Sequence, residues 1–315
     1  ERNYNTLMPG YTHLQVAQPI TFGHQLLAYV EMFGRDKTRL KDCKNRMNEC
    51  PLGSAALAGT SYPIDRNFVA KKLNFDSPTR NSIDSVSSRD FAVEYLSVIS
   101  LIGVNLSRIA EELILWSSNG FNFIKIGEEF TTGSSIMPQK RNPDAAELIR
   151  GKSNRLIGNL VNLISLLKGL PLSYSKDLQE DKEPIFDSSE NIKNCIVNMI
   201  GIIKSLKVNK NKMLKALQKG FPTATDLADY LVTYLNIPFR DAHKITGRII
   251  LLAEKNDCSL DELSLEELKS IEPKIDNYVM KSISISSSIS KKTSFGGTSP
   301  RLVLKAISDA KRRYL

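Results

Sequence analysis

Apolar residues recur at helical spacing along four long stretches of the chain. The stretches occupy residues 20–48, 89–117, 148–170 and 192–203. Three of them carry apolar residues on more than one face, whereas a helix at the surface of a globular protein needs only one apolar stripe. Such helices have to be buried almost all round, and a chain of 315 residues cannot easily cover several of them. The pattern predicts an all-α bundle of long helices that is completed by oligomerisation.

Polar, turn-rich segments separate the long helices. Each contains hydroxyls, amides or cations, and they occupy residues 8–19, 51–66, 82–91, 133–143 and 171–186. We expect several of these turns to meet at one end of the bundle. From about residue 212 the helices become shorter. The sequence therefore predicts a central domain over residues 1–211 and a small C-terminal helical domain over residues 212–315, without a strand-rich region.

Composition and charge narrow the class of protein. With 41% apolar and 24% charged residues the chain is typical of soluble globular proteins, and its uncharged apolar stretches are too short to span a membrane. The four cysteines have neither metal-ligand spacing nor the density of a disulfide scaffold, so we expect reduced thiols, no metal and a cytoplasmic location. The net charge of +9 would suit a nucleic-acid groove. Because the lysines are spread among 34 acidic residues, we expect solvated surface and no nucleic-acid partner.

The segment GSSIMPQKRNP at residues 133–143 is the densest concentration of candidate chemistry. In it, Asn142 is a good N-cap and Pro143 suits the first position of a helix. A hydroxyl-bearing loop that leads into a helix can close over an anion, because free N–H groups and the helix dipole favour negative charge there. The alternative is a Gly-Ser linker before an ordinary helix, but a linker has no need for this combination of Met, Pro, Lys and Asn.

Three other turns carry further candidates. His13, one of only three histidines, lies beside Thr12 and near two glutamines, which favours a polar site over the structural role usual for a single histidine. Arg89 is the one strong anion binder of its hydroxyl-rich turn. Residues 171–186 bring six polar side chains between two helices: Tyr174, Lys176, Asp177, Gln179, Asp181 and Lys182. A solvated charged loop is the alternative interpretation of that run.

These motifs resemble those of the fumarase/aspartase superfamily, whose shared signature is a GSSxMPxKxNP loop. Within this superfamily, the chain resembles the argininosuccinate lyase family over nearly its whole length. Strings in the order of that family are MPGYTHLQVAQP, PLGSAALAGT, SSRDF, LPLSYSKDLQEDKEP, FPTATDLADYLV and GGTSP. The resemblance implies an all-α homotetramer with sites shared between subunits. It also implies reversible elimination of fumarate from argininosuccinate to give arginine, without a cofactor.

The resemblance implies roles for individual residues as well. It assigns the catalytic serine to Ser134, the catalytic histidine to His13, and the carboxylate that orients this histidine to Glu147. Lys140 and Asn142 resemble the residues that hold the leaving dicarboxylate, with Lys140 counted among the catalytic groups. Further substrate contacts are assigned to Thr12, Tyr174, Gln179, Lys182 and, as support, Arg89.

The direction of proton transfer stays open at this stage. An imidazole exchanges protons near neutral pH and a serine hydroxyl does not, so chemistry alone favours His13 as the base. The resemblance instead favours Ser134 as the base, with His13 and Glu147 on the acid side. A serine can serve as a base only if its alkoxide is strongly stabilised, for example by Lys140 and by N–H groups of the loop.

Other functions also stay open. The chain could be another fumarate-releasing lyase of the superfamily, acting on adenylosuccinate, malate or aspartate, or a non-catalytic crystallin-like homologue. A basic helical nucleic-acid binder is the third alternative. We further expect the N-terminal part of the family fold to be absent, because the chain starts at Glu1 without methionine and reaches a strong motif within ten residues. Ala55 stands where the family commonly has glycine.

Overall fold

The computed structural model describes residues 1–315, and most of them lie in helices. The helices are α1 (Phe22–Met47), α2 (Arg66–Lys72), α3 (Ser82–Ser87), α4 (Asp90–Ser117), α5 (Asp144–Leu167), α6 (Lys182–Ser205), α7 (Lys210–Ala216), α8 (Ala224–Thr233), α9 (Phe239–Lys255), α10 (Leu265–Ile271), α11 (Tyr278–Ser282), α12 (Ile285–Lys291) and α13 (Pro300–Tyr314). The strands are β1 (Leu7–Thr12), β2 (Gln15–Thr21), β3 (Glu49–Cys50), β4 (Ser77–Pro78), β5 (Ile124–Lys125), β6 (Thr132–Gly133), β7 (Arg141–Asn142) and β8 (Lys207–Val208). The predicted helical fold class is confirmed, and no helix is long and apolar enough to cross a membrane.

The chain forms two compact units. One, the bundle unit, comprises Met32–Ser118 and Ile124–Lys207. The other, the terminal unit, comprises Glu1–Glu31, Asn119–Phe123 and Val208–Leu315. This division differs from the predicted domains 1–211 and 212–315, because β1 and β2 pack against α7 and α12 within the terminal unit.

The bundle unit is built on α4, α5 and α6, which pack along one another. Its core contains buried side chains from all three helices, among them Leu96, Leu113, Leu156, Leu163 and Ile202. Gly103 allows α4 and α5 to approach closely, since a Cβ there would lie 2.6 Å from the Leu156 side chain. Ser100 on α4 donates a hydrogen bond of 3.2 Å to the backbone oxygen of Leu156. These contacts hold α4 and α5 side by side.

The same three helices also present apolar side chains to solvent. Residues at least 38% exposed include Phe91, Leu101, Val104, Leu148, Val161, Ile164, Phe186, Val197 and Ile200. Contiguous exposed apolar surface marks an interaction site more often than ordinary surface. Each of these helices therefore carries apolar residues on several faces, as the sequence indicated. Completion of the bundle by other subunits stays a prediction.

The terminal unit begins with an antiparallel hairpin of β1 and β2. The pairing runs from Leu7 opposite Thr21 to Thr12 opposite Gln15. The sequence predicted only a polar, turn-rich segment here, because two prolines and a glycine obscure the alternation that marks a strand. The C-terminal helices of the unit share a core that includes Leu227, Tyr230, Ile249, Ala253, Leu268 and Val279.

Candidate active site

The GSS segment forms the tip of a small hairpin in the bundle unit. Strands β6 and β7 pair antiparallel, with Thr132 opposite Asn142 and Gly133 opposite Arg141. The intervening residues 134–140 form an open loop, and all of them except Ser134 are exposed. The expected hydroxyl-bearing loop is therefore closed at its base by strand pairing before the chain enters α5.

Ser134 lies at the start of this loop as a hydrogen-bond acceptor. Its Oγ accepts the backbone N–H of Met137 at 3.0 Å and that of Ile136 at 3.3 Å. The turn is closed further along by the N–H of Lys140, which donates to the Met137 oxygen at 3.0 Å. Two N–H dipoles that point at one oxygen favour negative charge on it. The Ser134 oxygen therefore faces two N–H donors of its own loop.

The start of α5 corrects one detail of the sequence interpretation. Asn142 was predicted as the N-cap and Pro143 as the first helical residue, but α5 begins at Asp144 and Pro143 occupies the cap position without a side-chain hydrogen bond. The backbone of Asn142 is committed to pairing with Thr132, so the helix starts one residue later. The Thr132 hydroxyl donates to the Asp144 carboxylate and thereby joins the base of the loop to the helix.

The two charged candidates of this segment are both exposed. Glu147 follows in the first turn of α5, where its N–H donates to the Pro143 oxygen at 3.1 Å. Its carboxylate and the ammonium of Lys140 take part in no ion pair. Both groups are therefore accessible to a ligand.

His13 lies at the tip of the β1–β2 hairpin in the terminal unit. His13 and Leu14 form a two-residue turn between Thr12 and Gln15, with φ values of 52° and 58°. Positive φ at both central residues is the geometry of a type I′ turn, which suits the twist of paired strands but is uncommon for residues other than Gly and Asn. The imidazole and the neighbouring Thr12 side chain are exposed. The two candidates therefore lie at the tip of the same hairpin.

The hairpin beneath His13 is supported by aromatic and polar contacts within the terminal unit. The ring of Tyr11 meets that of Phe121 edge-on at 5.6 Å, and Phe121 meets Phe123 at 5.3 Å. Gln18 donates from its side chain to the Thr225 hydroxyl at 2.8 Å. Such contacts fix the direction of the strands and hence of the tip.

The environments of His24 and His243 indicate structural roles. Burial lowers the pKa of His24, whose backbone N–H donates to the Thr21 hydroxyl at 3.1 Å. His243 is exposed on α9, with its ring 6.5 Å from that of Phe239. Neither has the turn position that distinguishes His13.

The run of residues 171–186 contains the remaining candidates and lies in the bundle unit. The Gln179 amide donates to the hydroxyl of Tyr174, and both side chains are exposed. Lys182 is the first residue of α6, and its ammonium donates to the Leu178 oxygen at 2.9 Å. Arg89, immediately before α4, donates from Nε to the Asp181 carboxylate at 2.7 Å. The structure thus brings Arg89, which the sequence placed on another turn, to the Lys182 end of this run.

Asp181 belongs to the polar run noted in the sequence, but it is not among the predicted site residues. Its side chain is 4% exposed and lies between two cations, Arg89 and Lys182. The only sequence signal was its position before a lysine in the QEDK string, which does not separate a buried carboxylate from a solvated one. No group of three or more His, Cys, Asp or Glu side chains could hold a metal ion.

Comparison with known proteins defines the family. The family model described as Lyase matches residues 1–158, and the one described as Argininosuccinate lyase C-terminal matches residues 221–290. The argininosuccinate lyase of Ehrlichia ruminantium (strain Welgevonden) is 54% identical over 315 residues, which are 100% of this chain and 68% of that protein. The chain belongs to the argininosuccinate lyase family. Another relative, the argininosuccinate lyase of Ehrlichia canis (strain Jake), is 56% identical over 99% of this chain and 66% of that protein.

The fold of the chain also matches a solved structure. The crystal structure of EDDS lyase in complex with formate superimposes with a TM-score of 0.92 at 29% identity, over 99% of this chain and 64% of that chain. This chain spans about two thirds of the length of its argininosuccinate lyase relatives. The family resemblance seen in the motifs is thus confirmed by overall similarity of sequence and of fold.

Proposed function

We propose that the complete protein is an argininosuccinate lyase, a carbon–nitrogen lyase that reversibly eliminates fumarate from argininosuccinate to give arginine. Membership of the family supports the reaction class and the substrate. The observation on this chain that carries the mechanism is the Ser134 oxygen, which accepts two backbone N–H groups inside the signature loop.

The reaction removes a proton and breaks one bond. A base takes a proton from the carbon next to a carboxylate, and the carbanion that forms is stabilised by that carboxylate. Its electron pair then forms the double bond of fumarate as the carbon–nitrogen bond breaks. The departing guanidino nitrogen takes a proton from an acid, which gives arginine. The protein therefore has to supply a base, an acid and donors that face the developing negative charge.

Ser134 is the base in this proposal, and His13 with Glu147 forms the acid side. A serine alkoxide is expensive in water, and the N–H groups of Ile136 and Met137 lower that cost by facing the oxygen before the reaction begins. This arrangement favours Ser134 over the choice that chemistry alone suggested. The exposed imidazole at the hairpin tip suits a group that gives a proton to the leaving nitrogen.

The remaining candidates bind the substrate. Lys140 and Asn142 hold the leaving dicarboxylate as its negative charge develops, because charge-assisted donors are the strongest partners of a carboxylate. Closure of the loop over the substrate would exclude water from the site. The other contacts in this proposal are Thr12, Tyr174, Gln179, Lys182 and Arg89.

The proposal includes a homotetramer whose active sites combine segments from different subunits. Support comes from the exposed apolar faces of α4, α5 and α6, which a second copy of the same bundle can cover. Light scattering coupled to gel filtration tests this part, with a mass four times that of the chain as the expected result. A stably monomeric and active species would contradict shared sites.

A substrate panel tests the proposed reaction. The complete protein is incubated with argininosuccinate, adenylosuccinate, malate and aspartate, and fumarate release is followed by ultraviolet absorbance. We expect turnover of argininosuccinate alone. Turnover of another member of the panel would reassign the substrate within the superfamily. A folded tetramer without any turnover would favour a non-catalytic, crystallin-like homologue. Tight, salt-sensitive retention of nucleic acid without turnover would favour a nucleic-acid-binding protein.

A further inference from the structure

The Asp181 carboxylate lies at a junction of two segments of the bundle unit. It ends the 3-10 segment Lys176–Asp181 and stands at the N-cap position of α6, yet its side chain caps no N–H of that helix. Instead Oδ2 accepts from Arg89 at 2.7 Å, and Oδ1 lies 2.6 Å from the ammonium of Lys182. A carboxylate that is 4% exposed is stable as an anion only when it is paired in this way.

The two cations differ in what they offer to a ligand. The Arg89 side chain is 17% exposed and also donates to the backbone oxygens of Val86 and Ser88. The Lys182 side chain is 47% exposed, and it lines an open cleft with Arg155 and the acidic residues Glu180, Glu183 and Asp187. Arg89 is therefore the fixed end of the trio, and Lys182 is the end that a ligand can reach.

The ammonium of Lys182 is held but not saturated. It donates one hydrogen bond of 2.9 Å to the Leu178 oxygen, whereas its 2.6 Å contact with Asp181 is an ion pair without a hydrogen bond, since Asp181 Oδ1 has no hydrogen-bond partner. Two of its three N–H donors therefore remain for a ligand. The trio of two cations and one carboxylate keeps a net charge of +1, which offsets part of the negative charge of Glu180, Glu183 and Asp187 in the cleft.

We propose that Asp181 is a positioning residue that aims the Lys182 ammonium at a carboxylate of the substrate, with Arg89 as its anchor. This inference rests on the proposed function, because it takes Lys182 as a substrate contact. The long lysine side chain has many rotamers, and ordering it before binding removes an entropy cost that the substrate would otherwise bear. The carboxylate thus acts on affinity through geometry, although its own charge repels the substrate.

Calorimetric binding of argininosuccinate to the complete protein tests the proposal, in a Ser134→Ala background that is expected to slow turnover about a thousandfold. We expect Asp181→Asn to weaken binding about fivefold to tenfold and Lys182→Gln about tenfold, by loss of a charge-assisted contact. If Asp181 acts through Lys182, the double variant binds about as weakly as Lys182→Gln alone. Asp177→Asn is the matched control, since it removes an exposed carboxylate from the same 3-10 segment.

Two results would overturn the inference. Tighter binding by Asp181→Asn would mean that the carboxylate acts only by lowering the positive charge of the site. Effects of the two substitutions that simply multiply would mean a structural role that does not pass through Lys182. A Lys182→Gln variant that binds normally would remove Lys182 from the substrate site and overturn the inference as well.

The stability of the variants needs its own control, because Asp181→Asn leaves the Arg89 guanidinium without its counter-ion. The variant Arg89→Gln/Asp181→Asn replaces the ion pair by a neutral pair while still depriving Lys182 of its carboxylate. Because Arg89 is itself a proposed substrate contact, the reference is Arg89→Gln alone, and we expect the double variant to bind argininosuccinate about fivefold more weakly than that reference; equal affinity of the two would contradict the proposal. Absence of binding by the unsubstituted protein, together with absence of fumarate release, would refute the proposed function itself.

Discussion

The two hairpins that carry Ser134 and His13 are built in opposite ways. The Ser134 hairpin has strands of two residues each around an open loop, residues 134–140. The His13 hairpin has strands of six and seven residues around a two-residue turn with positive φ at both positions. The Ser134 hairpin thus combines a long loop with short strands, and the His13 hairpin combines a short turn with long strands.

This difference indicates how each group reaches its task. A loop with few base contacts and exposed backbone opens at low free-energy cost, so it can close over a substrate and reopen. A tight turn on a long ladder holds its side chain in the register of the strands. We expect movement of the loop to bring the Ser134 hydroxyl to the substrate. We expect the strands of the other hairpin to keep the His13 imidazole in a fixed position.

Ser134→Ala should have the largest effect. The substitution removes the proposed base, and we expect kcat to fall about a thousandfold, as is typical of losing a general base. The free energy of unfolding should change by less than about 0.5 kcal/mol, because the residue lies in an open surface loop. Fumarate release and thermal unfolding measure the two quantities. Ser135→Ala, which removes the adjacent exposed hydroxyl, is the control, and an equal loss of kcat there would refute a special role for Ser134.

His13→Gln should have the next largest effect. Glutamine keeps a hydrogen-bonding side chain at the tip but cannot transfer a proton, so we expect kcat to fall about a hundredfold with a small change in KM. Steady-state kinetics with argininosuccinate measure both constants. His243→Gln replaces an exposed histidine on α9 and should leave them unchanged. A rise in KM alone for His13→Gln would make His13 a binding residue rather than the acid.

Much of the bundle could be predicted because helical periodicity is a local property of the sequence. Residues 89–117 were predicted to form a helix, and α4 is observed at Asp90–Ser117. The β1–β2 hairpin could not be predicted in the same way. Its pairing joins residues from Leu7 to Thr21, and its prolines and glycine break the alternation that would have indicated strands.

The site shows a similar division. The motif residues could be named from the sequence because they occupy fixed spacings in short strings. Asp181 could not, because its anchor Arg89 lies 92 residues away and nothing in the local sequence links the two. The cap at Asn142 was misplaced by one residue, since pairing with Thr132 overrides the intrinsic capping preference of asparagine.

Thr132→Val sharpens the comparison at the base of the loop. The substitution keeps the shape of the side chain and removes the hydroxyl that donates to Asp144. We expect kcat/KM to fall about fivefold, since an exposed charge-assisted hydrogen bond contributes about 1 kcal/mol to holding the closed arrangement. Thr131→Val is the control, because the Thr131 hydroxyl bonds only to the nearby Glu128 oxygen at 3.3 Å. Equal losses would mean that the base of the loop does not govern closure.

Substitution of Leu14 tests the other half of the comparison, with the smallest expected effect. The side chain is 65% exposed, so its replacement costs little packing and isolates the backbone conformation at φ 58°. Asparagine tolerates this conformation and should raise the free energy of unfolding by about 0.5 kcal/mol, whereas β-branched valine should lower it by about 1 kcal/mol. Urea unfolding of the complete protein measures the difference between the two variants. If the turn holds the imidazole still, kcat should fall for Leu14→Val and not for Leu14→Asn, because only valine forces the tip out of its geometry. Equal stability of the two variants would show that the turn stores no strain and that the hairpin alone positions His13.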